Sequence, residues 1–234
     1  MTPPSAEGDQ PEPTIATDTF VPAGRPVFSG RRGDPYAGMA GRRIFVAAPL
    51  PDDARSAIAD IVARVRISAS PGDREVRWVR LDGLHVTLRF LGPTPERGVL
   101  QAEAAVRATA AGGQPLHVSL AGSGAFPPVG RPRALWLGIA DGSGSLAGLA
   151  AALDSELHVR GWPINGRPFD AHLTLARSDG VPAGFRTAAL LAAAVGEMVL
   201  TWTLDRIVLY ESVTGGGPAR YVPLAEAPLG LATG

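Results

Sequence analysis

Two short segments of the chain repeat the pattern His-x-Thr-Leu: His85-Val86-Thr87-Leu88 and His172-Leu173-Thr174-Leu175. Each lies in an alternating apolar run that reads as a β-strand. Side chains on a strand alternate between its faces, so a histidine and the threonine two places on share one face. Each segment therefore projects an imidazole beside a hydroxyl. Histidine, with an ordinary pKa of about 6.5, gives or takes a proton near neutrality. Two imidazoles facing one cleft supply a general base for water and a general acid for a departing alkoxide. The two hydroxyls can donate to nonbridging phosphoryl oxygens as charge moves onto them. In-line attack of water on a phosphodiester, a cyclic one included, calls for that set of groups.

The other two histidines are read differently. Leu116-His117-Val118-Ser119-Leu120 imitates the motif with serine in place of threonine. An active pair of His117 and His172 would allow the same chemistry; the preferred reading takes His117 as a solvated strand residue. His158 falls near a helix end, where a cation suits the dipole. The histidines are far apart, and neither a His-x-x-x-His spacing nor a carboxylate cluster accompanies them. No metal site and no cofactor are expected. A Gly-x-Ser-x-Gly elbow is absent. The glycines around 142–144 and 215–217 fit turns rather than phosphate-binding loops.

The 234 residues suit one domain or two closely packed lobes, and 45% of them are apolar, enough for a core. The 22 basic residues, all arginine, balance 22 acidic ones, which gives no global attraction for long duplex nucleic acid. The absence of lysine excludes Schiff-base chemistry, and the absence of cysteine excludes disulfides and thiol catalysis. The sequence has neither a signal-peptide pattern nor an apolar run long enough for a membrane span. A cytoplasmic protein with no membrane and no obligate protein partner is the expectation.

Residues 1–40 are rich in Pro, Gly, Thr and Asp and lack hydrophobic periodicity, so they read as a flexible tail. The alternative is a strap held by Phe20, Val21, Val27 and Phe28. The domain, 41–234, opens with a strand at Ile44–Ala48. A helix comes next, with Asp52 or Asp53 as N-cap and a stripe of Ile58, Ile61, Val62 and Val65. Val76–Val79 is a short strand before the first motif. A second helix starts with Thr94 as N-cap and Pro95 at its first position. Strands are expected over 116–120 and 134–140. A third helix carries Leu146, Leu149, Leu153 and Leu157 and ends at Gly161. The second motif strand spans 169–178. Strands over 197–203, 205–211 and 220–224 close the chain, the last two as a hairpin. Strand–helix–strand recurs around both motifs, which predicts an α+β fold with a weak internal duplication: two similar lobes, each offering one motif to a shared groove.

The segment Arg77-Trp78-Val79-Arg80-Leu81-Asp82-Gly83-Leu84-His85-Val86-Thr87-Leu88-Arg89-Phe90-Leu91-Gly92 resembles the first signature of the 2H phosphoesterase superfamily. Its nearest branch is the bacterial RNA 2′,3′-cyclic phosphodiesterases, also called 2′-5′ RNA ligase-like proteins. Phe169 to Arg177 resembles the second signature, with Ala171 where the family often has proline. Leu209-Tyr210-Glu211-Ser212, with the glycines and Arg220-Tyr221 after it, is similar to the branch's C-terminal hairpin. The resemblance covers about residues 42–226 and excludes the N-terminal extension.

That resemblance implies a bilobal, pseudo-duplicated α+β fold: two antiparallel sheets flanked by helices around a central cleft. It implies metal-independent hydrolysis of a terminal 2′,3′-cyclic phosphate to a 2′-phosphate, with 2′-5′ ligation as a side activity. By analogy His172 is the base on water and His85 the acid to O3′, while Thr87 and Thr174 hold the phosphate. Phe90 and Arg177 occupy the same offset from their histidines. Strict strand parity places both on the opposite face; a bulge would turn them into the cleft to stack a base. The implied partners are RNA 3′ ends or nucleoside 2′,3′-cyclic phosphates. Two other functions compete. One is a 2H phosphodiesterase for a small cyclic nucleotide or ADP-ribose cyclic phosphate. The other is a non-catalytic nucleotide-binding module, which the intact pairs disfavour.

Overall fold

The computed structural model describes residues 35–36, 38–70, 75–215 and 217–230. The described strands form two antiparallel sheets. The first has the order β3 (His85–Thr94), β1 (Arg42–Pro49), β8 (Arg206–Val213), β9 (Arg220–Pro228). The second runs β2 (Arg77–Trp78), β6 (His172–Arg177), β5 (Ala134–Ile139), β4 (Leu116–Phe126), β7 (Val199–Leu204). The lobes are not successive halves of the chain. The C-terminal β8–β9 hairpin returns to β1 and completes the first sheet.

Among the described residues four α-helices cover the sheets: α1 (Asp52–Ser68), α2 (Glu96–Gly112), α3 (Ser143–Val159) and α4 (Ala183–Val195). Behind the first sheet, α2 packs on β8 and β9, and α3 packs on α2 and β3. Behind the second, α4 packs on β4, and α1 packs on α4. α1 and α3 are thus exchanged. Each comes after a strand of one sheet and packs behind the other. The buried residues form one continuous cluster through both lobes, so the lobes share a core rather than hinge across a linker.

α4 has no counterpart in the sequence reading. Its alanine-rich run is apolar almost all round, which blurs the helical stripe; Ala183, Gly184, Thr187, Leu191 and Val195 trace the buried side. The helix starts are also displaced by one or two places. Pro51 and Pro95, not Asp52 or Thr94, occupy the cap positions. Asp53 still accepts the Ala54 N–H at 2.8 Å, and the Pro95 carbonyl accepts from Gly98 and Val99. Proline's fixed φ suits these junctions and lacks a donor that would be unpaired there. Gly161 ends α3 at φ +100°, as expected.

Most of the segment read as a flexible tail, and the four residues of the strap reading, lie outside the described residues. Tyr36 lies within it. Tyr36 is buried, its ring edge-on to Trp162 at 5.4 Å, and its hydroxyl donates to Gln101. Any side chain at Gly98 would collide with that ring. The packed chain therefore begins before β1. Tyr36→Ala should destabilise the fold by about 3 kcal/mol, the usual cost of emptying a buried aromatic site. Chemical denaturation of that variant, and of a chain starting at Met39, checks this; a midpoint unchanged from the full chain would show the anchor to be dispensable.

Candidate active site

Both motifs stand at the first residue of their strands, His85 in β3 and His172 in β6. These two strands bring the sheets together. A single 3₁₀ turn, Leu81–Gly83, delivers the chain into β3. His85 Nδ1 lies 2.7 Å from the Gly83 carbonyl, and His172 Nδ1 lies 2.9 Å from that of Asp170. A carbonyl only accepts, so each Nδ1 is the donor and each neutral ring keeps Nε2 as acceptor. Both rings are held as the same tautomer, with Nε2 as the atom left for proton transfer.

The register shows how the neighbouring side chains are aimed. Against β1, Ala47 faces Thr87, Val46 faces Arg89 and Phe45 faces Phe90. Leu88 is passed over and forms a bulge. Against β5, Trp136 faces Thr174, Leu135 faces Ala176 and Ala134 faces Arg177. Leu175 is the bulged residue there. One extra residue reverses the parity of the positions that follow, in β3 as far as Leu91, which is passed over in turn. Phe90 and Arg177 accordingly join the face that carries His and Thr, against strict alternation. Arg89 turns the other way, into the core. Its guanidinium meets Asp154 of α3 at 2.9 Å and donates to the Pro163 carbonyl at 2.7 Å.

The walls are aromatic. His85 packs against Phe45 at 4.9 Å and against the edge of Tyr221 at 5.0 Å, with Tyr210 at 6.2 Å. His172 meets Phe126 edge-to-face at 4.9 Å and Trp136 at 6.3 Å. Burial pushes His85 down to about 4, and the charges of His172 and Arg177 push the same way. Burial also lowers His172, which Arg177 lowers further and the Asp170 carboxylate partly restores. Arg177 likewise acts on Tyr221, whose hydroxyl burial raises. Arg177 of the second sheet thus stands within electrostatic reach of His85 and Tyr221 of the first. At neutral pH both imidazoles are uncharged and the site holds a guanidinium, so an arriving anion meets a cation and two rings that it can recharge.

Of the residues expected from sequence, His85, His172 and Arg177 are brought together. Thr87, Thr174 and Phe90 lie on the same faces. Phe45, Tyr210, Tyr221, Phe126 and Trp136 escaped the sequence reading as site residues, because each lies far along the chain and is aimed only by register. His117 sits on β4, two strands from β6, exposed and 3.1 Å from the Thr203 hydroxyl. Ser119 beside it donates to Asp141 at 2.7 Å. His158 donates from Nδ1 to the Trp162 carbonyl at 3.0 Å and stiffens the end of α3. Among the described residues no cluster of three or more His, Cys, Asp or Glu is arranged to hold a metal ion. No described helix is long and apolar enough to cross a membrane.

Each of the two antiparallel sheets contributes one His–Thr pair, and Arg177 lies within electrostatic reach of both histidines. The chain belongs to the 2′-5′ RNA ligase superfamily, whose sequence profile matches residues 45–216. It is 31% identical over 185 residues to the RNA 2′,3′-cyclic phosphodiesterase of Geobacillus stearothermophilus, a match covering 79% of this chain and 56% of that protein. It is 31% identical over 156 residues to the protein of that name from Methanothermobacter thermautotrophicus, covering 67% and 79%. Among solved structures, TT0787 of Thermus thermophilus is similar at TM-score 0.63 and 27% identity, covering 80% of this chain and 98% of that one. E. coli LigT complexed with 3′-AMP is similar at TM-score 0.59 and 26% identity, covering 80% and 98%.

The lowered pKa of His85 has a measurable consequence. In ¹⁵N-histidine NMR its ring should stay neutral until the pH approaches 4, and inorganic phosphate should move the transition upward. The unfolded chain protonates this residue near 6.5, so stability should fall as the pH drops from about 6.5 towards 4. A His85 titrating at its ordinary value would contradict the desolvated site.

Proposed function

We propose that the protein hydrolyses the 2′,3′-cyclic phosphate at RNA 3′ ends to a 2′-phosphate by two-histidine acid–base catalysis. The observation that carries this reading is the pair of matching His–Thr–Phe/Arg faces, each made by a bulge at the motif leucine. The names of the curated relatives support the substrate class. The 3′-AMP complex of E. coli LigT supports a nucleotide in the cleft.

His172 Nε2 takes a proton from water as its oxygen attacks phosphorus. The P–O3′ bond breaks in line, and His85 Nε2 gives its proton to O3′. Thr87 and Thr174 donate to the nonbridging oxygens as charge builds on them. Phe90 and Arg177 offer a ring and a planar guanidinium to stack the terminal base. The substrate anion raises the histidine pKa values and so recharges the acid. A 5′-hydroxyl in the place of water gives a 2′-5′ linkage by the same step.

An oligonucleotide ending in 2′,3′-cyclic phosphate, incubated with EDTA, tests the reading through the product isomer. A 2′-phosphate is expected. A 3′-phosphate would reverse the leaving oxygen, and turnover confined to ADP-ribose cyclic phosphate would move the protein to another branch. His85→Ala and His172→Ala should each lower kcat by at least ~10², while His117→Ala stays near wild type. The single-turnover rate should trace a bell in pH, with the optimum for kcat above that for kcat/KM because substrate favours the imidazolium forms. A monotonic rise from pH 5 to 9 would defeat the two-histidine mechanism.

A further inference from the structure

The cleft face of the second sheet extends beyond the groups used above. Directly opposed residues in an antiparallel pair share a face. Gly124, Trp136 and Thr174 form one cross-strand row, and Phe126, Ala134, Arg177 and Arg77 form the next. Trp136 and Phe126 therefore stand on the His172–Thr174 face, their rings 5.3 Å apart. A Cβ added at Gly124 would fall within the indole of Trp136, and one at Gly138 would lie 3.5 Å from it. The indole thus lies down over glycine backbone. Trp136, beside His172 and Phe126 on that face, stays partly exposed. The rings continue past His172 into β4, on the far side of β5 from Arg177.

We propose that Trp136, with Phe126 beside it and Gly124 beneath it, is a stacking platform for a second nucleobase, so that the substrate is an RNA end of at least two nucleotides rather than a free nucleoside cyclic phosphate. This rests on the cyclic-phosphate reading above. A flat aromatic face beside the reacting phosphate accepts any base, because every base has a π-face. The absence of side chains at Gly124 and Gly138 leaves room for the indole to lie low against the sheet. Arg177 and Arg77, the latter ion-paired with Asp179, stand on the other side of β5 from the rings of β4, so guanidinium groups and rings flank His172 from opposite sides.

The experiment compares kcat/KM for a dinucleotide ending in 2′,3′-cyclic phosphate with that for the matching nucleoside 2′,3′-cyclic phosphate. The wild-type ratio should be at least about five-fold in favour of the dinucleotide. Trp136→Leu should collapse that ratio towards one, Gly124→Val should do the same by displacing the indole, and Trp136→Phe should restore most of it. Being a ratio, it does not move if a variant merely disturbs His172 or the fold. A dinucleotide whose penultimate residue is abasic should behave as the mononucleotide does. A wild-type ratio near one, or a ratio unchanged in Trp136→Leu, would overturn the platform while leaving the hydrolysis reading intact. Calorimetric binding of a dinucleotide 2′-phosphate, with the same variants, reads the platform without turnover. Trp136-dependent binding by a protein that hydrolyses neither substrate would support the platform and reject the reaction.

Discussion

The site depends on the extra residue at the motif leucine of each strand. Leu88 in β3 and Leu175 in β6 are passed over by the neighbouring strand, and both side chains are buried. Each leucine therefore anchors the strand to the core while shifting the phase of the residues that follow, in β3 as far as a second shift at Leu91. Phe90 and Arg177 come to the cleft through that shift. Without it, Arg89 would lie on the face of His85 and Thr87, adding a cation beside imidazoles that are already hard to protonate. Instead Arg89 enters the interior, where it is ion-paired with Asp154 and donates to the Pro163 carbonyl. A buried guanidinium left without such partners would be strongly destabilising. The bulge in β3 thus makes the cleft face and also ties the first motif to the chain that leads into the second.

Aromatic walls and one arginine set the charge of the cleft. Phe45, Tyr210 and Tyr221 keep water from His85, and Phe126 and Trp136 flank His172. Desolvation disfavours the cationic ring in both cases. The backbone carbonyls of Gly83 and Asp170 hold the rings in one tautomer without adding a formal charge. Gly83 serves twice, since it supplies that carbonyl and a Cβ there would come within 2.9 Å of the Tyr221 ring. Such a site is poised for an anion: its arrival offsets Arg177 and makes an imidazolium acceptable.

The exchange of α1 and α3 between lobes explains how two sheets can hold a cleft at fixed width. Each helix descends from one sheet and packs behind the other, so parting the lobes would expose apolar surface on both. The C-terminal hairpin adds to this, because β8 lies beside β1 and carries Tyr210 to the wall of His85. Residues from both ends of the chain therefore meet at the first histidine.

The sequence by itself singled out the repeated His–Thr pair. His-x-Thr is local, strand alternation is local, and the repeat separates His85 and His172 from His117 and His158 without any coordinates. It also determined α+β class and three of the four helices, whose apolar stripes or leucines recur at helical spacing; α4 escaped because alanine fills nearly all its faces. Strict parity was right for the first three residues of each motif and wrong beyond them. A bulge exists only relative to a partner strand, so the aim of Phe90, Arg177 and Arg89 was decided by pairing with β1 and β5. Tertiary structure alone also decided the aromatic walls, the burial of Tyr36 against Trp162 and the exchange of helices. Each is a contact between segments distant in the chain, and side-chain periodicity carries no record of which segments will meet.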